Sequence, residues 1–280
     1  LVTNAFASEA GAFSQAIIGG VSTYTVQAGD TLNKISARLG VPKSVLLADN
    51  RLKSGAKLRK GSALIVNNTH VVPEWMDEGI TINLPQRTLY FFQNRQLVST
   101  YPVGLGKSDW ATPTGKFRIT NMQMDKDWLV PLSIQEEMRR EGHTVITRLP
   151  SGPQNPLGRH WIGLSAAGYG IHGTSSPASI YQFQSHGCIR SHPEDIAVLY
   201  QLAQVGMKVN IVYRTTMLAQ TADGKLWLEV QPDVYQHETD PLGAVRALAE
   251  QQHLLGKLDW QKVYDVTQRA QGIAREVSLN

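Results

Sequence analysis

Hydrophobic and polar positions change period several times along this chain, and each change marks an element. Tyr24-Thr25-Val26-Gln27 alternates as a short strand does. Gly29-Asp30-Thr31 supplies a turn and a helix N-cap, after which Leu32, Ile35 and Leu39 recur at helical spacing until Gly40. Pro42 opens a second helix carrying Val45, Leu46 and Ala48, and Ala63–Val66 reads as a second strand. From Gly79 the period becomes two: Ile80–Leu84, Thr88–Phe92 and Leu97–Val103 predict a meander of antiparallel strands. Turn residues then dominate at Gly104, Gly106, Thr112–Gly115 and Ser151–Gly158, around a short helix predicted over Ile134–Glu141. Ser191-x-x-Glu194 has the form of a capping box opening a helix with Ile196, Leu199, Leu202 and Ala203 as its stripe.

The tail predicts a hairpin, Met217–Ala219 and Leu226–Val230 around Ala222-Asp223-Gly224-Lys225. Two helices follow. Asp240-Pro241 opens one with Leu242, Val245 and Leu248 inward and Gly256 as its stop; Asp259 opens the other with Trp260, Val263 and Ala270 inward. The predicted class is mainly β with α. Residues 1–22 form an N-terminal segment, 23–68 a small β-α-α-β module, 79–213 a β-rich domain, and 214–280 a hairpin-plus-helices extension. That extension has three candidate roles: covering an edge of the β-rich sheet, shaping the acceptor side of a cleft, or joining two protomers.

Composition narrows the function classes. At 280 residues, 42% hydrophobic and 18% charged, the chain can bury a substantial core and is unlike a disordered tail. A net charge of +4 falls well short of a nucleic-acid footprint. The basic run Arg51–Lys60 reads as a solvated turn. With no run of about 18 apolar residues, no membrane span is expected. The chain begins at Leu1, and Ala5-Phe6-Ala7 has the A-x-A form of a signal-peptidase site, which points to export. A single cysteine, Cys188, excludes an intramolecular disulfide and any all-cysteine zinc site.

The chemistry concentrates around that cysteine. His172-Gly173-Thr174 is followed, sixteen residues after the histidine, by Cys188 within Ser185-His186-Gly187-Cys188-Ile189-Arg190-Ser191-His192. A free thiol with a pKa of about 8.5 is only a few per cent ionised at neutral pH, so a nucleophile needs help. The expected help is a helix N-terminus just downstream, the charge of Arg190, and a histidine brought alongside. The amides of His186, Gly187 and Cys188 are candidates for an oxyanion hole in acyl transfer.

Two resemblances follow from these residues. Tyr24-x-Val26-x-x-Gly29-Asp30-Thr31-Leu32-x-x-Ile35, Leu46, Asn50 and Gly61-x-x-Leu64-x-Val66 resemble a LysM module. This implies binding of N-acetylglucosamine-containing glycan strands through Gly29, Asp30, Thr31, Asn50, Arg51 and Leu52. Ile171-His172-Gly173-Thr174 with Ser185–Arg190 resembles the active-site signature of the L,D-transpeptidases of YkuD type. Tyr101-Pro102-Val103-Gly104-x-Gly106, Thr112-Pro113-Thr114-Gly115-x-Phe117 and Gly152-Pro153-x-Asn155-Pro156-Leu157-Gly158 match further. Ser191 departs from it, since relatives usually carry leucine or methionine there.

The resemblance implies that Cys188 attacks the carbonyl between the third residue of a peptidoglycan stem tetrapeptide and its terminal D-alanine. His172 takes the thiol proton, the Gly173 carbonyl orients its ring, and His186 and Gly187 shape the loop. Arg190, Ser185, Thr174 and Tyr169 are the implied substrate-binding residues, Arg190 as partner of a carboxylate. The thioester passes to an amine of another stem, giving a 3-3 cross-link, or to the terminal lysine of an outer-membrane lipoprotein acceptor. No metal and no organic cofactor is implied, and carbapenems should acylate the same thiol. The implied location is the periplasm or cell envelope.

Other readings predict different outcomes. The same acyl-enzyme could be taken by water, making a hydrolase. A metal hydrolase would use His172, His186, His192 and Cys188 with Glu194 as base, although H-x13-H-x-C-x3-H is not a familiar zinc spacing. A wall-binding protein would have a decayed site. His192 reads as a helix-start residue, and His70, His143, His160, His237 and His253 as surface or internally satisfied residues. Trp161 lines the cleft or the core, and Trp110 and Trp128 are candidates for a lid.

Overall fold

The computed structural model describes residues 11–237 and 239–279; Ala5-Phe6-Ala7 lies outside them. Two short strands, β1 (Gly11–Ser14) and β2 (Ile17–Ile18), lie in the N-terminal segment. The small module follows as β3 (Val21–Thr25), α1 (Leu32–Leu39), α2 (Lys43–Asp49) and β4 (Ala63–Asn67), its two strands antiparallel. The hydroxyl of Thr31 caps α1 by accepting from the Lys34 N–H, and Gly40 ends it in the left-handed conformation. Ile35, Val45, Leu46 and Val66 fill the core between helices and strands. β5 (His70–Val71) then pairs with β2.

The β-rich domain opens with the expected meander, β6 (Gly79–Asn83), β7 (Thr88–Gln93) and β8 (Gln96–Gly106). After β9 (Gly115–Met124) comes an insert of β10 (Trp128–Leu129), α3 (Leu132–Arg140) and β11 (Arg148–Leu149). Then follow β12 (His160–Leu164), β13 (Gly170–His172), β14 (Phe183–Ser185), β15 (Ile189–Ser191), α4 (Pro193–Leu202) and β16 (Lys208–Val212). The order β8-β15-β13-β12-β9-β16-β6-β7 closes on itself because β7 pairs back onto β8. The length of β8 permits this: Gln96–Pro102 pairs with β7, while Val103–Gly106 pairs with β15 and β14. Closure leaves few free edges and surrounds a core of Ile80, Ile82, Phe91, Ile162, Ile171 and Ile189.

The predicted capping box does not form. Ser191 belongs to β15, a strand paired on both sides, so its backbone is committed to a ladder. Helix α4 starts at Pro193 with His192 at the cap position and, among the described residues, no side-chain cap bond and no partner for the buried Ser191 hydroxyl.

In the tail, β17 (Thr216–Gln220) and β18 (Leu226–Val230) form the expected hairpin, followed by α5 (Pro241–Gln251), α6 (Trp260–Arg269) and β19 (Ala274–Glu276). α5 ends at Gln251, where His253 takes a left-handed conformation, and not at Gly256, which lies in a separate 3-10 turn. β1 adds to the hairpin in parallel, giving the order β1-β17-β18-β19.

This extension locks the other modules together. Glu229 on β18 is fully buried and accepts from His70 Nδ1 at 2.8 Å, the Val71 N–H at 2.7 Å, Gln86 at 3.0 Å and Gln231 at 2.6 Å. The other ring nitrogen of His70 donates to the Gly40 carbonyl at 3.2 Å, so both nitrogens face acceptors and the ring carries charge. Burial opposes that charge, and Glu229 overrides it to hold the His70 pKa above its ordinary value. Ile273 of the tail enters the core of the small module, and His192 Nε2 of the β-rich domain donates to the Ala37 carbonyl of α1 at 3.0 Å. Among the described residues no helix is long and apolar enough to cross a membrane.

Candidate active site

Strand register sets one row of side chains across the sheet. Arg190 on β15 stands opposite His172 on β13, His172 opposite Trp161 on β12, and Trp161 opposite Gln123 on β9. Directly paired residues share a face, so the four project into the same cleft. Cys188, just before β15, opens into it, together with Ser185, His186 and the insert residues Trp128, Leu129 and Ile134.

The loop carrying Cys188 is held from several sides. The Ser185 hydroxyl donates to the Cys188 carbonyl at 2.5 Å and accepts from the Gly187 N–H at 3.2 Å. The Gly187 carbonyl accepts from the Thr112 hydroxyl at 2.9 Å, and that hydroxyl accepts from the Gly106 N–H at 3.0 Å. Tyr235, in the tail, donates to the Gly106 carbonyl at 2.8 Å and accepts from the Thr112 N–H at 3.2 Å. Gly187 itself has φ +100, and a Cβ there would lie 2.7 Å from Tyr169 Cε1. Because its N–H is taken by Ser185, the amides of His186 and Cys188 are the ones left from the oxyanion trio.

His172 is buried, and its Nδ1–H donates to the Gly173 carbonyl at 2.6 Å. Its ring stacks on Trp161 with centroids 5.8 Å apart and planes 16° apart. A Nδ1–H tautomer leaves Nε2 as the unprotonated nitrogen. The Gly152–Gly158 motif supports this arrangement from behind. Asn155 Nδ2 spans the carbonyls of Lys126, Leu149 and Pro150, and its Oδ1 accepts from the Leu157 N–H. Gly158 then passes so close to Gly173 and Thr174 that a Cβ would meet backbone at 2.9–3.0 Å.

The electrostatics differ from the sequence expectation. Burial pushes the His172 pKa down to about 4, with Arg190 acting in the same direction and the Gly173 carbonyl against it. Burial pushes the Cys188 thiol up, and neither the Gly170 backbone nor Arg190 overcomes it. The helix N-terminus expected beside Cys188 is not adjacent, because the whole of β15 lies between them. At neutral pH the site therefore holds a thiol and a neutral imidazole.

Sequence reasoning missed a partner of His186. Glu137, on α3, accepts from His186 Nε2 at 2.5 Å and from Lys107 Nζ at 2.9 Å, and these donors hold its carboxyl down to about 2. Its only local signal was an acid on a predicted helix forty-nine residues upstream. Trp110 meets His186 in a T-shaped arrangement with ring centroids 4.8 Å apart and is not among the cleft-lining residues, whereas Trp128 lines the cleft. Of the implied substrate residues, Arg190 and Ser185 line the cleft. Tyr169 packs behind Gly187, and Thr174 lines a separate cavity with Gly158, His160 and Pro193. His192, bonded to Ala37, does not join the other histidines.

In the small module the implied glycan contacts are largely spent internally. Asp30 accepts from the Tyr24 hydroxyl and the Gln27 N–H, both at 2.7 Å. Asn50 bonds Leu46 and both backbone groups of Ile65. The N–H groups of Arg51 and Leu52 return to α2, and the Gly29 carbonyl accepts from Lys34. The Thr31 hydroxyl caps α1. The exposed Arg51 side chain is the group with no such commitment.

The family described as the L,D-transpeptidase catalytic domain matches residues 77–211, and the LysM domain matches residues 24–67. A putative L,D-transpeptidase YkuD of Bacillus subtilis is 33% identical, over 68% of this chain and 98% of its own length. The corresponding Bacillus licheniformis protein is 31% identical, over 67% and 97%. The probable L,D-transpeptidase ErfK/SrfK of Salmonella typhimurium is 29% identical, over 80% and 74%.

Proposed function

The chain belongs to the YkuD-type L,D-transpeptidase family and carries a LysM domain, and from that premise we propose that it transfers peptidoglycan stem peptides through Cys188. In the proposed reaction Cys188 Sγ attacks the carbonyl that precedes the terminal D-alanine of a tetrapeptide stem. The S–C bond forms and the C–N bond breaks. His172 Nε2 carries the thiol proton to the departing amine, and the amides of His186 and Cys188 receive the oxyanion. An amine of a second stem, or of a lipoprotein's terminal lysine, then takes the acyl group and regenerates the thiol. Arg190 pairs with a substrate carboxylate. The apolar insert residues Trp128, Leu129 and Ile134 favour an amine over water at the thioester. The LysM domain would hold the enzyme on glycan strands, placing it in the cell envelope.

The observation that carries this reading is the geometry of His172. Its Nδ1–H is committed to Gly173, its ring is held against Trp161, and it shares a cleft with the thiol. Incubation with muropeptide tetrapeptides should give a Cys188 adduct with the mass of the donor less D-alanine, and a carbapenem should acylate the same residue. Cys188→Ala should give neither. Full turnover by Cys188→Ala would sink the proposal.

A further inference from the structure

The cleft carries a cation at each end of its side-chain row, and neither is in an ion pair among the described residues, although the Lys126 charge acts on Asp127. Arg190 stands at one end, with no ion pair and no side-chain hydrogen bond among the described residues. Near the other end Lys126 Nζ lies 5.7 Å from the centroid of the Trp161 ring. Lys126 sits in the sequence Asp125-Lys126-Asp127, where local neutralisation would be expected. Both neighbours are paired elsewhere: Asp125 with Arg159 at 3.2 Å, and Asp127 with Arg148 and the Ser151 N–H. The Lys126 backbone is pinned by Asn155, so its side chain is aimed by a fixed turn. Among the described residues no Asp or Glu lines the cleft.

Arg190 and Trp161 are two strands apart, about 10 Å at ordinary strand spacing, with His172 between them. Resting on the transfer reaction above, we propose that Lys126, presented over Trp161, binds a second free carboxylate of the acyl donor, so the enzyme selects peptides with a carboxylate on each side of the scissile carbonyl. Arg190 serves the leaving residue, and Lys126 serves the segment that stays on the enzyme as thioester. Amidation of that acyl-side carboxylate removes its charge and turns an ion pair into a neutral contact.

The test compares tetrapeptide donors whose acyl-side carboxylates are free or amidated, reading D-alanine release and the Cys188 adduct by mass. The native enzyme should prefer the free donor by about tenfold in kcat/KM, mostly through KM, the scale of one half-buried charge contact. Lys126→Gln should lose that factor on the free donor and little on the amidated one, and Lys126→Arg should recover most of it. A thermal melt of each variant separates folding defects from binding defects. Equal use of both donors by the native enzyme, or an equal loss on both in Lys126→Gln, would overturn the inference. If no donor acylates Cys188, the transfer reaction itself fails.

Discussion

A neutral thiol and a neutral imidazole lining one cleft predict a pH dependence opposite to that of a pre-formed thiolate. His172 is held down to about 4 from an ordinary 6.5, mainly by burial, and Cys188 is held above its ordinary value by burial too. At pH 7 about one His172 in a thousand is protonated; at pH 5 about one in ten, and at pH 3 about nine in ten. Acylation by a carbapenem, followed by loss of its absorbance, should therefore have an acid limb near pH 4 and fall about tenfold per unit below it. Iodoacetamide alkylation, read by intact mass on a chain with one cysteine, should rise about tenfold per pH unit through pH 8 without a plateau. Folding is linked with a defined sign. The unfolded chain takes up the His172 proton near 6.5 and the native chain only near 4, so stability falls as pH drops through that window. The shift corresponds to about 3 kcal/mol, complete below pH 4, so circular dichroism must accompany the acid points. Alkylation that is already pH-independent at pH 6 would mean a pre-formed thiolate, and an acid limb between 6 and 7 an imidazole of ordinary pKa; either outcome rules out the neutral resting state.

Two further outcomes follow from named contacts. Gly187→Ala forces an L side chain into φ +100 and a Cβ to 2.7 Å from Tyr169, so Cys188 acylation should fall by tenfold or more, measured as adduct formation at fixed carbapenem. Glu229→Gln leaves His70 without its counter-charge in a buried site, and urea unfolding at neutral pH should show a loss of about 3–5 kcal/mol; a loss below about 1 kcal/mol would show that the junction is not held by this pair.

Local signals were the legible ones. The meander from Gly79 to Gly106, the Thr31 and Asp240 caps, the Gly40 stop and the tail hairpin depend on neighbours within one turn or one strand, and the structure has them. The motif also pointed to the cleft, because Cys188, His172 and Arg190 are separated by short connections. Pairing across long stretches left no local trace. β1 joins β17 some two hundred residues away, and Glu137 reaches His186 from a different element. Ser191-x-x-Glu194 misled because a cap pattern cannot register that Ser191 is already paired with Val103 in a strand ladder. The same omission placed a helix terminus beside Cys188 and lowered its expected pKa. Asp30 and Asn50, expected to meet sugar, also bond backbone around their own turns, as short polar side chains do there.

The bond from His192 to Ala37 and the packing of Ala37 with Ile180 and Tyr181 fix α1 of the LysM domain against the β-rich domain, next to the strand that follows the nucleophile. A sugar-binding head on a flexible tether would let a catalytic domain sweep a sphere of possible stems. Bolted on in this way, such a head would act instead as a jig. A glycan strand seated on the small domain would present stems at one distance and one rotational phase, and stems out of phase would pass the cleft untouched. Spacing of the products along the strand, and not only their chemistry, would then be written into the protein's frame.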